Sequence, residues 1–303
     1  MPTIAIIGPS AYAPNPDYVP RAIARLQERG WKIKNLVDPN SKYQRFSADD
    51  ATRLAQLYSA AEDPEVDVVL ALRGGYGLSR LLDDIDFQRL ANSGKLFVGF
   101  SDFTAFHLGM LAKTGAISFA GPMLYDDFGQ EQLYESSFQY FKDCLTTANY
   151  HLNVVVEGNP TVHAQGKFWG GNLAMLAHLV GSSFMPKIEG GILFVEDVNE
   201  NPYRVERMLL QLHHAGILAN QKALVLGHFT NYCASEYDNG YDFNAMLDFI
   251  RSKISIPIIT GLPFGHCPNK ATFPIGAQIS LTSDVNGFTL QFEKYPHLSL
   301  QNG

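Results

Sequence analysis

Three stretches in the first third of the chain are apolar almost without interruption: TIAII at 3–7, VDVVLAL at 66–72 and LFVGF at 96–100. Strands buried on both faces of a parallel sheet need runs of this kind. Between them the period changes to that of a helix. PDYVPRAIARLQERG places Ile23 and Leu26 on one face and stops at Gly30. SADDATRLAQLYSAAED starts a second helix, with Ser47 as the expected N-cap and acidic residues in the first turn. KIKNLVD reads as a strand, GLSRLLDDI as a short helix, DFTAFHLGMLAKTG as a helix and AISFAG as a strand. Repeated βα units predict a doubly wound α/β domain.

The second half follows a different pattern. Residues 150–165 alternate loosely around a turn-like GNP, which predicts a first domain over 1–148, a linker over 149–165 and a second domain over 166–303. Helices are expected at GNLAMLAHLVG, NPYRVERMLLQLHHAG and YDFNAMLDFIRSKI, and strands at GGILFVE, ALVLGHF and IPIITGL. Pro202 suits the first turn of its helix, and Gly216 its end. QISLTSDVNGFTLQF predicts a hairpin around Asn286-Gly287.

Composition removes several function classes. The formal charge of −7 over 303 residues, with no basic run, argues against general nucleic-acid binding. The N-terminus reads as a core strand, not a signal peptide, and no apolar segment is long enough to span a bilayer, so a cytoplasmic protein without a membrane partner is expected. Cys144, Cys233 and Cys267 are far apart, which predicts neither disulfides nor a zinc site. His213 and His214 suit the last turn of a helix, where a cation meets the dipole.

The chemistry concentrates at strand ends. In KLFVGFSDFTAF a buried strand gives way at once to Ser101 and then to a helix. A serine there is either a helix N-cap or an exposed nucleophile with the next N–H, that of Asp102, as an oxyanion donor. Phe103 replaces the second glycine of G-x-S-x-G, so a strict α/β-hydrolase elbow is not met. A second turn, LALRGGYGLSRLL, brings Arg73 and the glycines 74, 75 and 77. Its spacing matches neither nucleotide-binding glycine motif. It is an ordinary loop or the source of a second oxyanion N–H, from Gly75, with Arg73 suited to a carboxylate. Further on, Glu196 ends the strand ILFVE, and His266 lies in the Gly- and Pro-bounded loop GLPFGHCPN. Serine, acid and histidine in that chain order would meet between the two domains. Cys267 is a rival nucleophile, disfavoured because adjacent side chains point apart.

The motifs RGGYGLSRLLDDIDF, VGFSDFTAF, FAGPM, WGGNLAML, ILFVEDVNENPYRVERMLLQL and GLPFGHCPNKATFPIGA together resemble the LD-carboxypeptidases of peptidase family S66 over nearly the whole chain. The resemblance implies a flavodoxin-like N-terminal domain, related to the class I glutamine amidotransferase architecture, and a smaller mixed α/β C-terminal domain. It implies a Ser101–His266–Glu196 triad, with Glu200 as the alternative acid, an oxyanion hole from Gly75 and Asp102, and no metal or other cofactor. The implied reaction cleaves the L,D amide between meso-diaminopimelate and the terminal D-Ala of murein tetrapeptides during cytoplasmic peptidoglycan recycling, by a homodimer. Candidate donors to the substrate carboxylate are Arg73, Trp169, Gly171, Asn172 and Arg204. Two other readings stay open: hydrolysis of peptide-nucleotide antibiotics in self-immunity, for which Trp169 would supply a purine platform, and muropeptide binding without cleavage.

Overall fold

The structure is a computed structural model and describes residues 1–299. Its first sheet is built from β1 (Thr3–Ile7), β2 (Lys32–Asn35), β3 (Val68–Ala71), β4 (Leu96–Gly99) and β5 (Ser118–Ala120), parallel in the order β2-β1-β3-β4-β5. Every residue of β1, β3, β4 and β5 is buried, as the unbroken apolar runs require. Helices α1 (Tyr18–Glu28), α2 (Asp50–Glu62), α3 (Phe87–Asn92) and α4 (Thr104–Thr114) connect these strands, and α5 (Glu135–Thr146) follows β5. α1 buries Val19, Ala22 and Leu26 along one stripe.

The second half begins with β6 (Tyr150–Val155) and the long β7 (Val162–Asn172), then α6 (Leu173–Leu179), β8 (Gly191–Val198), α7 (Pro202–His214), β9 (Gln221–Thr230), α8 (Phe243–Lys253), β10 (Ile258–Thr260), β11 (Phe273–Ile275), β12 (Gln278–Asp284) and β13 (Gly287–Glu293). Seven of these strands form a mixed sheet in the order β10-β9-β8-β7-β12-β13-β6, with β7 to β10 parallel and β7, β12, β13 and β6 antiparallel. Exposed and buried residues alternate along β12 and β13, and their hairpin closes with Asp284 opposite Gly287. The fold is therefore α/β with two mixed sheets. No helix of the described residues is long and apolar enough to cross a membrane.

Four local expectations change. Residues 149–165 are largely strand, because β6 pairs with the C-terminal hairpin and β7 begins at Val162. β11, from the second half, pairs antiparallel with β5 and completes the first sheet as a sixth strand. Segment 77–85 holds only a three-residue 3-10 turn at Leu78–Arg80, and the helix comes later, at α3. The α2 cap is Asp49, whose carboxylate accepts from Thr52 N, while Ser47 is buried and donates to the Gly8 carbonyl.

The halves meet along α4. Its residues Thr104 through Leu111 are all buried, and it packs on α3, α6 and β7. A helix apolar on every side belongs between layers, and this one starts three residues after Ser101.

Candidate active site

β4 ends at Gly99, Phe100 stays extended, and Ser101 turns sharply with φ of 60°. A non-glycine residue in the left-handed region costs free energy and is held there by its surroundings. Ser101 caps no helix with its side chain. Its hydroxyl points the other way, with Oγ 3.2 Å from His266 Nε2.

The turn is braced from three sides. The Asp102 carboxylate is buried and accepts from Ser10 Oγ at 2.6 Å and Leu78 N at 2.9 Å. It thereby ties the serine turn to the loops after β1 and β3. Burial pushes this carboxyl up, and those hydrogen bonds work against the shift. Beneath the turn, the fully buried His107 has Nε2 2.9 Å from the Gly99 carbonyl and Nδ1 2.8 Å from Ser118 Oγ. The carbonyl can only accept, so Nε2 carries the proton and Nδ1 accepts from the serine. Burial lowers the His107 pKa to about 4, and the ring stays neutral. Over the turn lies the glycine loop: a Cβ built on Gly74 would sit 3.5 Å from Asp102 N and closer still to Ser101. Gly75, next along, has φ of 98°, and a Cβ there would meet the Ala11 side chain at 2.7 Å.

His266 comes from the loop after β10. Its ring lies 4.9 Å, centroid to centroid, from that of Phe100, and its carbonyl accepts from Thr230 Oγ1. Nδ1 is 2.9 Å from Glu196 Oε2. Glu196, on β8, is completely buried. A buried carboxylate needs partners, and its other oxygen accepts from Asn172 Nδ2 at 3.2 Å. Ser101, His266 and Glu196 thus form one continuous chain of polar contacts across the two sheets. Glu200 instead pairs with Arg204, at 3.6 Å. Cys267, beside His266, has its thiol pushed up to about 11 by burial, so it stays protonated near neutral pH.

Three residues expected at the substrate are engaged by contacts within the protein. Asn172 donates to both Glu196 and Asp197 while its Oδ1 caps α6 through Met175 N. It is 6% exposed and its amide is fully used. Asp197, adjacent to Glu196, is pushed up to about 6, by burial first. Gly171 is packed so closely on α4 that a Cβ would lie 2.5 Å from Thr104 Oγ1, and that hydroxyl accepts from Asn172 N. Trp169 is completely buried and donates its indole N–H to Gln221. Arg204 is exposed on α7. Arg73 lies at the end of β3, donates to the Tyr12 carbonyl and stands over the Tyr125 ring.

A cavity of about 240 Å³ adjoins His266, bounded by Phe100, Asp126, Asp127, Cys267 and Lys270 among others. Lys270 is 2% exposed, binds Asp127 at 2.6 Å and lies 3.6 Å from the centre of the Phe100 ring. Its backbone N–H donates to Ser137 Oγ. It links the histidine loop to the residue preceding Ser101. Its one sequence signal is a lysine set directly before the largely apolar ATFPIGA. Asp126 and Asp127 carried no signal beyond their acidity.

The chain resembles known proteins over most of its length. Residues 4–121 match the LD-carboxypeptidase N-terminal domain, and residues 165–281 match the LD-carboxypeptidase C-terminal domain. The chain is 30% identical to the "Probable murein peptide carboxypeptidase" of Bacillus subtilis (strain 168), over 93% of this chain and 89% of the relative. The crystal structure of muramoyltetrapeptide carboxypeptidase from Oxalobacter formigenes superposes with a TM-score of 0.93 at 51% identity, covering 97% of this chain and 99% of the other. The Microcin C7 self-immunity protein MccF of Escherichia coli is 26% identical, over 89% of this chain and 87% of its own.

Proposed function

Since the chain belongs to the LD-carboxypeptidase family, peptidase S66, we propose that it is a serine carboxypeptidase that cleaves the amide between meso-diaminopimelate and the terminal D-Ala of murein tetrapeptides. The observation that supports this most directly is the contact chain from Ser101 Oγ through His266 to Glu196.

In this mechanism His266 Nε2 takes the hydroxyl proton as Ser101 Oγ bonds to the carbonyl carbon at the L-centre of meso-diaminopimelate. Glu196 accepts from Nδ1–H, which fixes the tautomer and stabilises the imidazolium. The N–H groups of Asp102 and Gly75 receive the oxyanion; losing one such donor costs about 3 to 4 kcal/mol in comparable enzymes. The C–N bond then breaks, His266 returns its proton to the departing amine, and D-Ala leaves. Water, activated by the same imidazole, hydrolyses the acyl-enzyme and frees the tripeptide. Arg73, beside the glycine loop, is the donor we assign to the substrate carboxylate.

Two rival readings have less support. The antibiotic-hydrolase reading wanted Trp169 as a purine platform, and that ring is buried. The binding-only reading required the three residues to lie out of reach of one another. The place of action we propose is peptidoglycan recycling in the cytoplasm, with a homodimer as the working unit. We also read the first sheet as flavodoxin-like; its order β2-β1-β3-β4-β5 supports that.

The test is D-Ala release from L-Ala-γ-D-Glu-meso-diaminopimelate-D-Ala by the wild type and Ser101→Ala in parallel. Release by the wild type alone is expected. Equal release by both would overturn the nucleophile, and release by neither would overturn the reaction.

A further inference from the structure

Asp126 lies in a π-helical turn, Leu124–Phe128, and borders the cavity next to His266. About a third of its side chain is exposed. Its carboxylate accepts no hydrogen bond among the described residues, and the one cation within 4 Å of it there is Arg73, Nε at 3.9 Å. That separation is too long for a hydrogen bond, and Arg73 Nε is itself buried without a partner. The other charges of the cavity are spoken for: Lys270 and Asp127 bind each other at 2.6 Å. Burial pushes the Asp126 carboxyl up, and the positive charge of Arg73 works against that shift. A carboxylate bordering a reaction cleft with its acceptor sites open is short of donors, and an ammonium supplies three.

We propose that Asp126 is a specificity-determining residue that binds an aliphatic ammonium on the side chain of the residue whose carbonyl Ser101 attacks. This rests on the carboxypeptidase reading above and deepens it. In meso-diaminopimelate six bonds separate the ammonium nitrogen of the D-centre from the attacked carbonyl carbon, a reach of up to about 7.5 Å when extended by standard bond lengths, a span that fits a cavity of this size. The N-terminal amine of the peptide, two residues further up the chain, is too far away to compete. A peptide whose third residue lacks that ammonium would leave Asp126 desolvated and unpaired, which is how a polar pocket rejects an analogue.

The test compares two tetrapeptides, one with the free D-centre amine of meso-diaminopimelate and one with that amine acetylated, on the wild type and Asp126→Asn. On the free-amine peptide, Asp126→Asn is expected to lower kcat/KM about ten- to hundredfold, the scale of a hydrogen bond to a charged group, mostly through KM. On the acetylated peptide the two proteins should agree within about twofold. Equal loss on both peptides would mean that Asp126 serves the fold and would overturn the proposal, as would no loss on either. No D-Ala release by the wild type from the free-amine peptide would overturn the carboxypeptidase reading itself, an outcome separate from these.

Discussion

Gly74 presses on Ser101: a Cβ built on Gly74 would sit 2.9 Å from Ser101 Cβ and 3.0 Å from its Oγ. The glycine loop therefore sets where the hydroxyl stands. In Gly74→Ala either the loop or Ser101 must move by several tenths of an ångström. The expected outcome is a kcat/KM at least about a hundredfold lower, because small misplacements of reacting groups are that costly. Thermal unfolding should register only about 1 to 3 kcal/mol of destabilisation. Steady-state kinetics and a melt on the same preparation test this; wild-type turnover would mean that the hydroxyl is not positioned by the loop.

The positive φ of Ser101 gives a second prediction. Ser101→Ala and Ser101→Gly both remove the hydroxyl, and both should be inactive. They should differ in stability, since only glycine adopts this conformation without penalty. Ser101→Gly is expected to be more stable than Ser101→Ala by about 1 kcal/mol. Urea unfolding of the two variants reads this directly, and the reverse order would show that the turn is not strained.

His107 makes stability depend on pH. Its folded pKa is about 4, below the ordinary value of 6.5, so between those pH values the unfolded chain binds the extra proton. Stability then rises with pH across that window, and the contribution is lost as pH falls from 6.5 toward 4. Asp197, raised to about 6, acts with the opposite sign, its stabilisation fading as pH climbs from 3.8 to 6. The two contributions oppose each other where their windows overlap. Comparing it with His107→Gln isolates the histidine, because Asp197 is common to both. The advantage of the wild type over the variant should shrink by about 2 kcal/mol between pH 7 and pH 5. An unchanged difference would show that His107 is not held neutral.

Lys270 and Asp127 form an ion pair with side chains 2% and 9% exposed. Lys270→Met leaves the Asp127 charge buried, which should cost about 3 to 5 kcal/mol. Lys270→Met with Asp127→Asn should recover a large part of that loss, and the double-mutant cycle measures it. Additive losses would contradict a direct pair.

The strands of the first sheet were legible because burial on both faces leaves an unbroken apolar run, as in Val68–Ala71 and Leu96–Gly99. The meeting of Ser101, Glu196 and His266 followed from their places at strand ends and loops. Other features left weaker marks. β11 is three residues long and contains Pro274, which only an edge strand tolerates, so its sequence does not announce a strand. β6 alternates outside and inside, and such alternation beside a GNP turn resembles a linker. Trp169 and Asn172 looked like ligand contacts because aromatic rings and amides bind ligands. Their polar groups are satisfied within the protein, by Gln221 in one case and by two carboxylates and a helix end in the other.

The crossing of β11 into the first sheet bears on the chain as it is made. Ser101 leaves the ribosome long before His266, and β5 has no outer neighbour until residues 273–275 emerge. During that interval a growing chain has Ser101 without the imidazole it contacts and a sheet with one raw edge. The later segment supplies both within ten residues, so the Ser101–His266 contact and the closed sheet edge arise together.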